Sequence, residues 1–217
     1  MIRRSIPEWM MTAALASLAV VLFIPLFLSG RLGPFDFWWG LTLSVLALSG
    51  LALFLDSRCR ETVRLDILSR PARKILWGVV SAAALYLVFV AAGALAEKMF
   101  PQAGREIGRV YALKAGVSSG RILLSLLLVI GPGEEVFWRA FLQGRAQTLW
   151  GGRSGWLAAS ALYSAVHLGS GNPLLVGAAA VGGLFWGYLY LRYRSILLNA
   201  VSHTLWDVLI FLIRPVG

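Results

Sequence analysis

Glu134 and Glu135 are adjacent carboxylates, and Arg139 follows the second by four residues, inside a stretch that is otherwise apolar from Ile122 to Leu142. Holding an ionisable side chain at bilayer depth costs roughly 2.5 to 3.5 kcal/mol, so such a cluster needs pairing, a wet cavity or a task. On a helix Glu135 and Arg139 share one face at i and i+4, the geometry of a charge-assisted pair. Glu134 lies about 100° around the helix and is left free to act on water. The bland alternative is that both glutamates share Arg139 as packing glue. The only two histidines, His167 and His203, both fall late in apolar runs rather than in loops. Tyr163 precedes His167 by four residues and Asp207 follows His203 by four, so each partner shares a face with its imidazole and can orient it. Carboxylates and imidazoles together are the groups of general acid and base catalysis.

The elements that must hold these groups are membrane spans. Of 217 residues 59% are hydrophobic and only 14% charged, well below the charged quarter of a soluble domain. A hydrocarbon core of about 30 Å takes roughly 20 apolar residues per helix. Met10 to Leu28, Phe37 to Leu55, Ile75 to Ala96, Ile122 to about Gln143, Trp156 to Leu168, Pro173 to Tyr193 and Ile196 to Ile213 are the candidate runs. They predict an all-α polytopic bundle of about seven spans, the fifth being short. The absence of repeats and long linkers makes residues 1–217 a single integral membrane domain.

Gly131-Pro132-Gly133 precedes the carboxylates, and a proline flanked by glycines predicts a break in mid-span. A helix restarting near Pro132 would place Glu134 and Glu135 in its first turn, where the positive dipole end favours negative charge. At about 1.5 Å of rise per residue, Glu134, His167, His203 and Asp207 reach compatible depths from three helices. One buried site is the expectation. The spans before Ala96 are nearly free of polar residues, so the chemistry is C-terminal.

The net charge of +10 could suggest nucleic acid, but the basic residues lie in short connections and form no patch with stacking aromatics. They read as topology signals. With an inward N terminus, Arg3, Arg4, Arg58, Arg60, Arg64, Arg70, Arg73, Lys74, Arg145, Arg153, Arg192 and Arg194 collect inside, roughly twelve against about seven outside. A cytoplasmic N terminus follows, with Lys98, Arg105, Arg109 and Lys114 as the conflict. Met1 to Arg4 resembles the start of a signal peptide, but the run to Leu28 is too long and reads as a retained anchor. Cys59 is the sole cysteine, which excludes an internal disulfide and a thiolate cluster.

Trp38, Trp39, Trp77, Trp150, Trp156, Tyr190 and Tyr193 fall at predicted span ends, as headgroup-level anchors do. Ala179, Gly183 and Gly187 at four-residue spacing predict close helix packing. Arg105 to Ala115 has the pattern of a short interfacial helix and is a candidate gate.

The ordered motifs Glu-Glu-x-x-x-Arg at Glu134, Glu135 and Arg139, aromatic-x-x-x-His at Tyr163 and His167, and His-x-x-x-Asp at His203 and Asp207 resemble those of the CPBP intramembrane proteases. That family includes the CAAX prenyl endopeptidases and bacteriocin-immunity-type members. The resemblance covers about Arg121 to Leu212, with residues 121–212 as the catalytic core. It implies hydrolysis of a peptide bond in a membrane-associated protein or peptide, in the inner membrane of a bacterial or archaeal cell, with the lipid bilayer and no nucleic acid as partner. Glu134 helped by His167 would activate water. His203 and Asp207 would line the side where the oxyanion develops, and Glu135, Arg139 and Tyr163 would support them.

Both a glutamate-dependent and a metal-dependent endopeptidase fit, since Glu134, His167 and His203 could supply a His₂Glu zinc set. No cofactor is required by the sequence; Zn is the alternative. Tyr163 stands where Phe is common, and Asp207 where Asn is frequent. An ionised Asp207 cannot donate to an oxyanion, so it is protonated, orients His203 or binds metal. Two competing readings are an ion- or proton-coupled transporter, since Glu and His also build relays, and a noncatalytic immunity or binding protein.

Overall fold

The computed structural model describes residues 7–216, so Arg3, Arg4 and the signal-like Met1 to Arg4 lie outside the described residues. The described residues are 87% helical. Among the described residues the strands are one antiparallel pair, β1 (Arg31–Leu32) and β2 (Phe35–Asp36), between α1 (Glu8–Ser29) and α2 (Phe37–Leu55). Then come α3 (Ser57–Leu68), α4 (Pro71–Met99) and α5 (Ala103–Ala112). A continuous helical run over 119–150 consists of α6 (Ser119–Ser125), a π segment Leu126–Ile130, α7 (Gly131–Glu134), a π segment Glu135–Gln143 and α8 (Gly144–Trp150). We call it the site helix. Next is α9 (Gly152–Val166), followed by a 3₁₀ turn His167–Ser170 and α10 (Pro173–Tyr193). Last comes α11 (Ile196–Val208), which continues into a π turn Leu209–Ile213.

Among the described residues five helices are long and apolar enough to cross a membrane: Glu8–Ser29, Phe37–Leu55, Pro71–Met99, Pro173–Tyr193 and Ile196–Ile213. The protein is an integral membrane protein. The expected count of about seven is not reached by these alone, because the site helix is divided into short α and π segments and α9 has 15 residues.

Side chains readable in the sequence fix the entry to several helices. Asp36 caps α2 through Trp39 N–H, Asp56 caps α3 through Arg58 and Cys59 N–H, Asn172 caps α10 through Leu174 and Leu175 N–H, and Ser195 caps α11 through Leu198 N–H. Asp66 ties the two halves together, accepting from Leu197 N–H at 2.8 Å and pairing with Lys74 at 2.6 Å. At the opposite end of the bundle Trp38 Nε1–H donates to Leu113 O at 2.9 Å and Lys114 to Phe211 O at 2.6 Å. These bonds hold α5 and its following loop over the ends of α2 and α11.

The helix does not break at Gly131-Pro132-Gly133. Ile130, Gly131 and Glu135 all keep right-handed helical dihedrals, and π turns on either side of α7 carry the backbone through. A wider turn re-registers the hydrogen bonds around the donor that Pro132 lacks, which replaces the break expected from the sequence. The first-turn dipole argument for the glutamates therefore falls away. The glycines serve close approach instead: a Cβ on Gly131 would stand 2.0 Å from Thr204 Oγ1 and 3.0 Å from Thr204 Cα on α11, and one on Gly133 would stand 2.5 Å from Val45 Cγ1 on α2. Gly183 and Gly187 do the same for α9, as the small-residue stripe predicted, with Ser160 Oγ–H donating to Gly183 O at 2.9 Å.

Two expected anchors are core residues. Trp38 and Tyr190 are buried, because each faces a neighbouring helix rather than the headgroups, whereas Trp39, Trp77, Trp150 and Tyr193 are exposed as anchors should be. The interfacial segment folds as α5, its apolar Ile107, Val110 and Tyr111 turned toward α4, α10 and α11.

Gly131→Ala should lower the folded yield and the Tm in detergent, by about 1–3 kcal/mol of overpacking against α11, while Gly120→Ala, which meets open space, should not. Equal melting of the two variants would show that the crossing is looser than described. Cys59 is buried on α3, and burial first, then the Asp56 carboxylate, push its thiol up to about 12 against the opposing pull of Arg145. Since the thiolate is the reactive form, the folded protein at pH 8 should resist maleimide labelling that proceeds readily once it is unfolded.

Candidate active site

Glu135 is fully buried and is held by three residues. Arg139 Nε lies 3.3 Å from Oε2, Asn199 Nδ2–H donates to Oε2 at 3.0 Å, and His203 Nδ1 is 2.8 Å from Oε1. The ion pair expected from the i, i+4 spacing is present. Two of the three partners, however, come from α11, so this carboxylate fastens the site helix to the helix that carries His203. Asn199 also donates to Trp186 O on α10 at 2.7 Å, which brings a third helix into the network. Trp186 stacks on His203 with ring centroids 3.7 Å apart and planes at 22°. Arg139, also fully buried, has its guanidinium over the Tyr163 ring at 5.1 Å.

Glu134 turns the other way. It lines a cavity of about 100 Å³ whose walls include Tyr163, His167, His203 and Asp207. The depth argument placed four polar groups from three helices at one level, and one cavity receives all four. Glu134 Oε2 is buried with no hydrogen-bond partner in the protein. His167 Nδ1 lies 2.7 Å from the carbonyl oxygen of Tyr163. A carbonyl only accepts, so Nδ1 carries the proton and a neutral His167 presents Nε2 as an acceptor. The same logic at His203, whose Nδ1 faces the Glu135 carboxylate, leaves Nε2 as the atom toward Asp207, 3.7 Å from Oδ2 and too long for a direct hydrogen bond. The cavity is roomy enough for water among polar partners.

Beside it, between α4, α5, α10 and α11, runs an apolar groove of about 330 Å³. Val110, Leu175, Ala178, Trp206 and Phe211 line both spaces. An apolar chain in the groove would therefore touch the wall of the polar cavity.

Among the described residues no three His, Cys, Asp or Glu side chains lie close enough to share a metal ion. Glu134, His167 and His203 as arranged do not make a zinc cage, and no step below is routed through one.

Asn199 and Trp186 had no assigned role from the sequence. The signal for Asn199 was present: Asn199, His203 and Asp207 stand at i, i+4 and i+8 on one face of α11, a polar stripe in an apolar span. Trp186 has no such signal, since a tryptophan inside an apolar span looks like any packing residue.

Residues 117–209 match a family model described as type II CAAX prenyl endopeptidase Rce1-like. That match agrees with the resemblance of the motifs to the CPBP proteases, and the matched stretch contains every residue of the cavity's polar wall. No curated protein and no solved structure matches the chain.

Replacing Glu135 by Gln should leave Arg139 as an uncompensated buried cation and destabilise the fold by about 3–5 kcal/mol. The double variant Glu135→Gln, Arg139→Met should recover a large part of that loss in thermal melts, because both charges are then gone. Additive effects of the two substitutions would contradict the coupling described.

Proposed function

We propose that the protein is an intramembrane endopeptidase that cleaves a membrane-associated protein or peptide, with Glu134 as the carboxylate that activates water. The observation that carries this reading is the meeting of Glu134, His167, His203 and Asp207 at one cavity inside the Rce1-like stretch. A water held between Glu134 and His167 Nε2 would attack the carbonyl carbon as Glu134 takes its proton. The carbonyl oxygen would become an oxyanion facing His203, where an Nε2–H donates to it, flanked by the carboxylates of Glu135 and Asp207 that balance charge on the ring. Glu134 would then return the proton to the departing amine nitrogen as the C–N bond breaks. Water is added across the bond and the enzyme is restored.

Burial supports this assignment of roles. Glu135 has its oxygens occupied by Arg139, Asn199 and His203, whereas Glu134 keeps one unpartnered. The apolar groove next to the cavity suits an apolar portion of a membrane substrate, and the family's name makes a prenylated CAAX tail one candidate among membrane peptides. A cytoplasmic N terminus is part of the proposal: α3, the α3–α4 turn, α8 and the α10–α11 turn would carry most of the arginines inward.

In vesicles, Glu134→Gln should keep the wild-type Tm and lose turnover by about 10²- to 10⁴-fold. Quantitative membrane proteomics of cells carrying wild type or Glu134→Ala should reveal precursors that accumulate only in the variant, and these serve as substrates for the assay. Undiminished cleavage by Glu134→Gln would refute the mechanism. Flux driven by a pH gradient would point to a transporter, and full biological protection by the variant to a binding protein. Zinc near one equivalent that tracks with activity would move the catalytic type to a metallo-endopeptidase.

A further inference from the structure

At the end of the bundle remote from α5 there is a second polar cavity, of about 200 Å³, formed by the α2–α3 turn, α8 and the α10–α11 turn. It lies along the site helix from Glu134 by the eleven residues to Arg145, roughly 15 Å of rise, and shares no lining residue with the first cavity. Three guanidinium groups line it: Arg58, Arg145 and Arg194. So do the hydroxyl-bearing Thr62, Thr148 and Tyr190.

Facing these cations are two carboxylates. Asp56, buried in the floor, accepts from Arg145 Nε–H at 2.7 Å and caps α3 with its other oxygen. Glu8, from the start of α1, reaches in from the rim, with Oε2 2.5 Å from Arg145 Nη1 and Oε1 3.5 Å from Arg58 Nη2. Arg145 is thereby neutralised and serves as structure. Among the described residues Arg58 is held by two long contacts of 3.5 Å, both to an exposed Glu8 whose side chain is 57% accessible. Arg194 stands over the Tyr190 ring at 5.5 Å. It holds a left-handed backbone (φ 51°) at the end of α10, a place where glycine is the unstrained choice. Two guanidinium groups without a buried carboxylate partner, lining one polar cavity with three hydroxyl groups, make the arrangement of an anion cradle.

The depth of the cavity narrows the ligand. Its lining residues lie at or just beyond the end of α2 (Leu55), the end of α10 (Tyr193) and the last turns of the site helix, the level at which spans meet the headgroups. Basic pockets between membrane helices at that level hold anionic lipid head groups. We propose that this cavity binds a phosphate-bearing anion, the headgroup of an anionic phospholipid, between Arg58 and Arg194. The carboxylate of Glu8 occupies the anion position at Arg58 and Arg145 and is displaced when the phosphate enters. Glu8 is mostly exposed and can move; Asp56 is buried and stays.

The test uses the full chain in nanodiscs of phosphatidylcholine doped with phosphatidylglycerol, with native mass spectrometry of retained lipid and Tm as readouts. Phosphatidylglycerol at a few mole percent should remain bound and raise the Tm, and phosphatidylcholine alone should do neither. The double variant Arg58→Gln, Arg194→Gln should weaken retention on the order of tenfold or more. Arg64→Gln, Arg73→Gln, which removes two exposed arginines of the same end outside the cavity, should leave it within about twofold, as surface charges away from a contact contribute little. Glu8→Gln should tighten binding, and Glu61→Gln should not. Inorganic phosphate that alone reproduces the Tm shift would identify free phosphate as the source at the same site. Equal weakening by both arginine pairs would reduce the effect to general surface charge and overturn the proposal, as would unchanged retention in the Arg58, Arg194 variant. Arg58→Gln alone, whose side chain is two-thirds exposed, provides the same comparison if the double variant fails to fold. Because the readouts are lipid retention and melting, the result does not depend on whether Glu134 proves catalytic.

Discussion

A carboxylate with no access to solvent organises this bundle. Glu135 cannot remain ionised in an apolar interior unless opposite charge and donors surround it, and these come from two helices: the Arg139 guanidinium as ion-pair partner on its own, Asn199 and His203 on α11. Any displacement of α11 along the site helix would strand a charge on each side. The desolvation that makes Glu135 expensive thus also makes the register of the two helices specific. A further bond from Asn199 to the Trp186 carbonyl extends that register to α10, and the indole of the same residue lies flat on His203. Apolar packing alone would tolerate sliding of a few ångströms. This network does not.

Such a network demands that the helices come very close, which explains the neighbouring glycines. Gly131 lets Thr204 press against the site helix, one turn from Glu135 and one residue from His203, and Gly133 admits Val45 of α2 on another side. The π segments on either side of α7 complete the arrangement. Adjacent residues of a helix point about 100° apart, so Glu134 and Glu135 face different partners, one the cavity and the other α11. Backbone of the π type is costly to maintain, and π bulges are found disproportionately where a side chain must be aimed. Several buried polar atoms without partners, among them Glu134 Oε2, Thr204 Oγ1 and Trp206 Nε1, belong to the same region. Departures from complete satisfaction concentrate where local rules yield to function.

The sequence made visible what depends on hydropathy and on spacing along one helix. The long spans, the Glu135–Arg139 pair and the small-residue face of α10 follow from runs and i, i+4 steps, and the structure has them. So does the meeting of Glu134, His167, His203 and Asp207, because equal depth in a slab is nearly a spatial coordinate. What stayed hidden needs knowledge of a neighbour. Pro132 between two glycines reads as a break, since nothing in the local sequence says that α11 and α2 press into those glycines and hold the helix through. Trp38 and Tyr190 sit at span ends and read as anchors, yet each is covered by another helix. Asn199 was legible as the first member of a polar stripe on α11, but the carboxylate it serves lies 64 residues earlier in the chain.

The locks at the two ends of the bundle bear on the middle. A mid-membrane cavity lined by unpartnered polar groups does not contribute to stability, so the elements around it must be fixed elsewhere. At one end Asp66 ties Lys74 and the start of α11 together, and Asp56 ties α3 to Arg145 of the site helix. At the other end Trp38 and Lys114 hold the loop after α5 to α2 and α11. The first set consists of buried ion pairs with short contacts, which resist separation because each would leave a bare charge. The second includes a charge-assisted bond from the Lys114 ammonium, and the same end carries the Arg121–Asp36 ion pair at 2.6 Å. Both ends are therefore fastened through charged side chains. The α5 end borders both the polar cavity and the apolar groove. An apolar segment entering that groove from the bilayer would meet its apolar walls first and the water-bearing wall second, through the residues the two spaces share.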